Sequence, residues 1–415
     1  MTDVVVTGVG IFGPSGRGLE AAWAGALSGR TAAAVDDRLV AMGTPVTISC
    51  RVPEFDPDAE LGRGAVRRLD RFTHLAVIAA REAIAHAGLS EEGEERITRV
   101  DADRTGVLMG SGIGGAETWA EEYPRYLDKG PGRVSPMFVP KMLSNTAAGT
   151  IAIRSGARGP NMTVNTACAA GASAIHLGRD LLRSGTADVV LAGGVEAGVT
   201  GLAVSAFAQM GALTKNPDPA TASRPFDVAR DGFVIGEGAA VLVLETAEHA
   251  SARGATPLAV VAGAGASADA HHATAPPEDG GGARLAMQRA LADAGLDASE
   301  IGHYNAHGTS TPLNDAAEGR ALRAVFGDHA DRIAVSSTKG VTGHTLGAAG
   351  AIEAIFSIQA LRQQLIPPTA NLAEQDPDIA LDVVAGEPRQ MALEAVMSTS
   401  MGFGGQNAAL IFTPA

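Results

Sequence analysis

Cysteine is almost absent from this chain of 415 residues, which carries only Cys50 and Cys168. Two thiols so far apart offer neither metal-ligand spacing nor a disulfide framework, and they suit a reducing cytoplasm. Lysine is as scarce, confined to Lys129, Lys141, Lys215 and Lys339, and none of these follows a P-loop pattern. Aromatic residues make up 4% of the chain against 46% hydrophobic residues overall, so the core has to be built from Ala, Val, Leu and Ile. No apolar run approaches the roughly 20 residues of a membrane span. The first residues lack a basic region leading into an apolar one, and together these features predict a cytoplasmic protein without membrane contact. Net positive charge is missing as well: the formal value of −14 argues against a nucleic-acid surface and makes any acidic partner depend on a local basic patch.

What the chain has in abundance is glycine, 52 residues, in a pattern of short apolar runs alternating with helical stretches. Strand-like runs at Asp3 to Val9, Arg104 to Gly110, Met162 to Thr166, Ala187 to Gly193 and Ala239 to Glu245 form one series. A second comprises Pro257 to Gly263, Ile301 to Asn305, Ile333 to Ser337 and Ala408 to Phe412. The alternation predicts a layered α/β protein with largely buried sheets. Two pieces correspond: a strand ending in Ser/Thr, a Gly/Ala-rich turn and a long apolar helix, Ala169 to Arg183 in one case and Ala348 to Gln364 in the other. Such internal similarity predicts two pseudo-symmetric halves, divided near Ala255 into residues 1–255 and 256–415.

Cys168 lies in V-N-T-A-C-A-A-G, where a β-branched stretch runs into the first of these helices. The unpaired N–H groups and dipole of a helix N-terminus favour an anion, which predicts a thiol with enhanced nucleophilicity. Position alone is equally that of a small buried hydrophobe. His307 in N-A-H-G-T-S-T-P and His344 in S-S-T-K-G-V-T-G-H-T-L-G each follow a strand-like run and are wrapped in Gly, Ser and Thr, which places both imidazoles on tight turns at strand ends. The other histidines read as solvated or hydrogen-bonded side chains, with His271 and His272 the best candidates for an exception. G-V-G-I-F-G, Gly8 to Gly13, matches a dinucleotide fingerprint, but Pro14, Ser15, Gly16 and Gly18 make a poor helix start and argue against nicotinamide binding. No histidine or cysteine spacing forms a zinc site.

Taken together, Cys168, His307, His344, Lys339 in S-T-K-G, Glu353 after G-A-A-G-A-I, S-R-P-F-D-V-A-R-D-G-F-V-I-G-E-G from Ser223 to Gly238, and the closing G-F-G-G from Gly402 to Gly405 resemble the β-ketoacyl-acyl-carrier-protein synthases. The likeness is to elongating synthase II and to the ketosynthase subunits of type II polyketide systems, and it covers essentially the whole chain. It implies the thiolase fold, five layers of α-β-α-β-α, and a decarboxylative Claisen condensation between an enzyme-bound acyl group and malonyl-acyl carrier protein. Thiolases resemble one another in using a second cysteine near the C-terminus, which this chain lacks. Chain-length factors lack the nucleophile, which this chain has. A catalytically silent scaffold partner is the alternative that the intact trio disfavours.

By this resemblance Cys168 is the acylated nucleophile, His307 and His344 are donors to an enolate, and Lys339 with Glu353 orients the His344 region. The backbone N–H groups of Cys168 and Phe403 form an oxyanion hole. Thr309 and Thr311 hold the carrier's phosphopantetheine arm, while Ile113, Met137 and Phe138 belong to the substrate-binding region, the last two near the end of an acyl tunnel at the dimer contact. No cofactor or metal is implied beyond the phosphopantetheine of the carrier. The expected partners are acyl carrier protein and either a second copy or a chain-length-factor-like subunit. Arg63, Arg67, Arg68 and Arg71, clustered in G-R-G-A-V-R-R-L-D-R-F, are the candidate carrier-docking patch, or an ordinary solvated helix start.

Overall fold

The run V-V-L-A-G-G-V-E is buried at every residue, as a strand must be when helices cover both of its faces. It is one of eleven principal strands in a computed structural model that describes residues 2–415: β1 (Val4–Gly13), β2 (Thr105–Gly110), β3 (Asn161–Val164), β4 (Val189–Glu196), β5 (Gly238–Thr246), β6 (Ala259–Ala268), β7 (Ile301–Asn305), β8 (Ala334–Ser336), β9 (Asp382–Val383), β10 (Ala395–Gly402) and β11 (Gln406–Thr413). They follow one hydrogen-bonded path, β9-β8-β7-β10-β11-β6-β1-β5-β4-β2-β3. The path joins at its middle through a short antiparallel contact, Val5 with Val260 and Val6 with Ala259. From that joint each half repeats the same sense: two antiparallel pairings (β1-β5-β4 and β6-β11-β10), then parallel ones.

Six helices complete the layers: α1 (Arg71–His86), α2 (Thr146–Ser155), α3 (Ala170–Arg183), α4 (Gly281–Ala294), α5 (Pro312–Phe326) and α6 (Ala349–Gln363). Side-chain alternation along the strands shows where they pack. Ala240, Leu242 and Leu244 of β5 share a core with Ile175 of α3 and with Ile352 and Ile355 of α6, whereas Ala239, Val241 and Val243 face Leu75 and Ala79 of α1. On β11, Ala408, Leu410 and Phe412 enter the same central core, and Ala409 and Ile411 face Met287 and Ala290 of α4. The result is the five-layered α-β-α-β-α thiolase arrangement, with α3 and α6 in the middle layer.

Residues Ala349 to Leu361 of α6 are all buried, so this helix is apolar around its circumference rather than along one stripe. Its contact with α3 requires glycine: a Cβ on Gly171 would stand 2.8 Å from the Ala351 nitrogen, and one on Gly350 would stand 2.8 Å from the Ala172 nitrogen. Trp23 packs against the same layer, buried beside Phe356 and donating its indole N–H to Gln363 at 2.8 Å. The dinucleotide-like run Gly8 to Gly13 lies inside β1, paired along β5 instead of forming a phosphate loop.

Candidate active site

Both central helices open on a single 3-10 turn, Ala167–Ala169 before α3 and Leu346–Ala348 before α6. Each turn carries a non-glycine residue with left-handed backbone, Ala167 at φ 49° and Leu346 at φ 50°, a conformation that side chains disfavour and that surrounding packing must hold. Cys168 sits in the first turn. His344 precedes the second and is tied into the fold by its backbone, with its N–H donating to Val234 at 2.7 Å and its carbonyl accepting from Gly236 at 2.8 Å. His307 stands on the turn after β7. The strand-to-helix and strand-to-turn placements read from the sequence hold for Cys168 and His307, whereas the short helix Lys339–Thr342 stands between the strand Ala334–Ser336 and His344.

The three meet in one cavity of about 350 Å³, whose wall also includes Thr309, Thr311, Phe207, Phe233 and Phe403. His307 and His344 are edge to face, ring centres 5.3 Å apart. Aromatic contacts continue from His344 to Phe233 at 5.2 Å, to Phe207 at 5.5 Å and to Phe403 at 6.3 Å. The Nδ1 atom of each imidazole is buried without a hydrogen-bond partner among the described residues, which leaves Nε2 as the nitrogen available to the cavity. The hydroxyls of Thr309 and Thr311 hydrogen-bond each other at 2.9 Å.

Electrostatics corrects one expectation. Burial pushes the Cys168 thiol up to about 11; backbone N–H bonds from Phe403 and from Cys168 itself, and the charge of Lys339, oppose this without overcoming it. The helix end thus moderates a desolvated thiol and does not make it a standing thiolate at neutral pH. The same two N–H groups point at the sulfur. Burial, then the positive charge of Lys339, holds His344 well below the usual histidine range, and for His307 the His344 ring adds to both. Both rings are neutral near pH 7. Lys339 makes a fully buried ion pair with Glu353 of α6, and burial raises the Glu353 carboxyl to about 7 against the pull of that lysine.

Other predicted residues fall elsewhere. Ile113, Met137 and Phe138 do not line this cavity: Ile113 is 42% exposed, and Phe138 meets Trp119 edge to face at 5.1 Å. Arg63, Arg67 and Arg68 are exposed around the short helix Ala65–Arg68. Arg71 is a correction. Its guanidinium is bidentate on the buried Glu237 carboxylate, at 2.6 and 2.8 Å, and lies over the Phe55 ring, so it is committed to the interior and is not a free docking cation. His272 lines the cavity, with Nδ1 accepting from the N–H groups of Thr274 and Ala275, whereas His271 does not, and both are exposed.

Two buried carboxylates escaped the sequence reading. Glu318 of α5 accepts from the N–H groups of His307 at 2.7 Å and Gly308 at 2.8 Å, and from the Tyr304 hydroxyl at 2.9 Å, so it fixes the histidine turn. Glu196 closes β4 beside the nucleophile's turn. A charge ending an otherwise apolar run was the only local signal for Glu196, and Glu318 had none.

Comparison with known proteins places these features in a family. Residues 1–250 match beta-ketoacyl synthase, N-terminal domain, and residues 258–373 match beta-ketoacyl synthase, C-terminal domain. The sequence is 44% identical over 410 residues to a 3-oxoacyl-[acyl-carrier-protein] synthase 2 of Synechocystis sp., covering 99% of this chain and 97% of that one. It is 42% identical over 409 residues to the protein of the same name from Staphylococcus aureus, with the same coverages. Among solved structures, a beta-ketoacyl synthase from Burkholderia phymatum superposes with TM-score 0.92 at 36% identity over 100% of both chains. The ishigamide ketosynthase/chain length factor gives 0.91 at 35% identity, over 100% of this chain and 99% of that one. A type II PKS acyl-carrier protein in complex with its ketosynthase bound to the hexaketide gives 0.92 at 29%, over 100% of both.

Proposed function

Because the chain belongs to the β-ketoacyl synthase family, we propose that its cavity carries out decarboxylative condensation of a Cys168-bound acyl group with malonyl-acyl carrier protein, giving a β-ketoacyl-carrier product. The observation that carries this reading is the convergence of Cys168, His307 and His344 on one pocket. A silent scaffold would not need all three there.

In the first half-reaction the Cys168 sulfur attacks the carrier thioester, and the proton it loses ends on the departing pantetheine thiol. Storing the acyl group on the enzyme divides one difficult condensation into two easier steps. In the second, carbon dioxide leaves malonyl-carrier, and the bonding pair becomes an enolate whose oxygen takes hydrogen bonds from Nε2–H of His307 and His344. Neutral imidazoles suit this role, since they donate without first delivering a proton. The enolate carbon attacks the Cys168 thioester, the tetrahedral oxyanion rests on the N–H groups of Cys168 and Phe403, and its collapse releases the thiolate. Preorganised donors in such sites are worth about 2.7–4 kcal/mol each. Lys339, paired with Glu353, supplies positive potential to the thiol and both imidazoles without lining the cavity. Thr309 and Thr311 line the approach and would hold the phosphopantetheine arm, the only prosthetic group that this chemistry needs.

The reading extends to partners. Arg63, Arg67 and Arg68 form the docking patch for an acidic carrier. A second thiolase-fold chain, either another copy or a chain-length-factor-like subunit, covers the open edge at β3. Exposed apolar residues support this: Met162 of β3 is 42% exposed, Ile153 of α2 80%, and Trp119 on the helix Ala116–Lys129 48%. Phe138 packs against Trp119 and, with Met137 next to it in the chain, would reach the acyl chain through that contact. Division into 1–255 and 256–415 falls in the connection between β5 and β6. No helix among the described residues is long and apolar enough to cross a membrane. The direct test is intact-mass measurement after incubation with acyl-carrier protein. The expected result is one acyl mass on the wild type and none on Cys168→Ala; acylation of the variant would overturn the assignment.

A further inference from the structure

Glu196 has no exposure to solvent, yet both oxygens of its carboxylate are fully used. Oε1 accepts from the Ser111 hydroxyl at 3.0 Å and from the N–H groups of Ile113 at 3.1 Å and Gly114 at 3.3 Å. Oε2 accepts from the N–H groups of Gly112 at 2.7 Å and Gly347 at 3.2 Å. Burial raises the Glu196 carboxyl above its ordinary value, and the four backbone donors, which cannot reverse their bonds, work against this in favour of the charged form. Contact is close on every side: a Cβ on Gly112 would lie 2.9 Å from Oε2 and 3.6 Å from the Ala167 Cα, and one on Gly347 would lie 2.8 Å from Oε2 and 2.7 Å from the Gly112 nitrogen.

These bonds join two separate segments, and packing ties a third to them. The first is the loop after β2, which carries Ile113. The second is the turn before α6, which follows His344. The third, reached by packing through Gly112, is the Ala167 turn that presents Cys168. Both turns hold left-handed residues that need external support. The two halves also use equivalent helix ends differently. At α3 the N–H of Cys168 faces the reacting sulfur, whereas at α6 the N–H of Gly347 is occupied by the protein's own carboxylate.

We propose that Glu196 is a positioning residue for the condensation, clamping the Ser111–Gly114 loop to the Gly347 turn and so fixing both the Cys168 turn and the backbone of Ile113. The proposal rests on Cys168 being the acylated residue. It predicts that disturbing the clamp lowers the rate of acyl transfer after docking, not the docking itself. Its negative charge also opposes ionisation of the Cys168 thiol.

The experiment is a comparison of wild type, Glu196→Gln and Ser111→Ala, each first shown to be folded by its melting transition. The glutamine keeps the shape but turns an NH2 group toward donors. Expected for Glu196→Gln is a fall of about tenfold or more in kcat for acylation from acyl-carrier protein, with KM for the carrier unchanged. Alkylation of Cys168 by iodoacetamide should at the same time shift to lower pH, because a neighbouring negative charge is gone, while acrylamide quenching of the buried Trp23 stays as in wild type; a general loosening that let water reach the thiol would move both. A kcat within about twofold of wild type, with a superimposable alkylation profile, would overturn the proposal. Should Glu196→Gln fail to fold, Ser111→Ala decides: removing one neutral donor should lower kcat several-fold at constant KM, and an unchanged kcat would overturn the clamp. A wild type that takes no acyl group from the carrier would instead refute the functional reading itself.

Discussion

His307 and His344 meet edge to face, their ring centres 5.3 Å apart, and each is kept neutral by burial and by Lys339. Two neutral donors lining one cavity suit an enolate oxygen better than a thioester under attack by sulfur. Replacing either by Ala should slow decarboxylation of malonyl-carrier about a hundredfold or more, with a smaller effect on acyl transfer to Cys168. Single-turnover measurement of each half-reaction checks this, and equal losses in both would mean that the rings chiefly serve the cysteine. Because their folded values lie well below the usual histidine range, decarboxylation should not weaken between pH 7.5 and pH 6 through histidine protonation.

The pH behaviour of Cys168 follows from its raised value. Below about 11 the thiolate fraction climbs about tenfold for each pH unit, so iodoacetamide alkylation should keep accelerating from pH 7 to pH 10. A plateau near neutrality would reveal a thiolate that the buried site does not support. Carrier thioesters should acylate the residue at neutral pH all the same, since the proton has an acceptor in the leaving thiol.

Arg67 and Arg68 are separated from Arg71 by what their guanidiniums touch. Reversing Arg67 and Arg68 to Glu should raise KM for carrier-bound substrates, more so at low ionic strength, while sparing acylation by a small thioester. Arg71→Glu should act on stability, costing about 3–5 kcal/mol by setting a second carboxylate against the buried Glu237, which keeps only the more distant Arg51 at 3.5 Å. Steady-state kinetics with both substrate types, alongside denaturation curves, distinguish the two effects.

Glu60 anchors the segment that displays the basic patch. Hydrogen bonds from Arg17, then Arg81, hold its carboxyl down at about 2, below the ordinary value of 4.5. A depressed carboxyl stabilises the fold above its unfolded value and loses that contribution as pH falls from about 4.5 toward 2. Glu60 keeps substantial solvent contact, so screening limits the effect to about 1 kcal/mol. Urea unfolding of Glu60→Gln should match that of wild type near pH 2 and fall below it by this amount at pH 6.

The strands and central helices were legible because their signals are local. Apolar runs such as V-V-L-A-G-G-V-E and the long apolar helix after His344 are buried on all sides, and burial writes itself into composition. Strand β10 was not seen: its M-S-T-S-M sequence looks polar, yet Thr399 is buried and bonds Tyr304 and Glu318 across the layer. Cys168, His307 and His344 could be found from turn chemistry and family likeness. Glu196, Glu318 and the commitment of Arg71 to Glu237 depend on partners remote in the chain, and no window of sequence contains them.

Trp23 and Trp119 are the chain's two tryptophans, one buried in the central layer and the other nearly half exposed beside the open edge. The protein therefore carries two optical reporters that answer different questions. Acrylamide should quench Trp119 readily in an isolated subunit and lose access to it in the proposed pairing with a second chain, while Trp23 emission should change only when the middle layer itself comes apart. Fluorescence of the unlabelled chain can thus separate subunit dissociation from unfolding in a single titration.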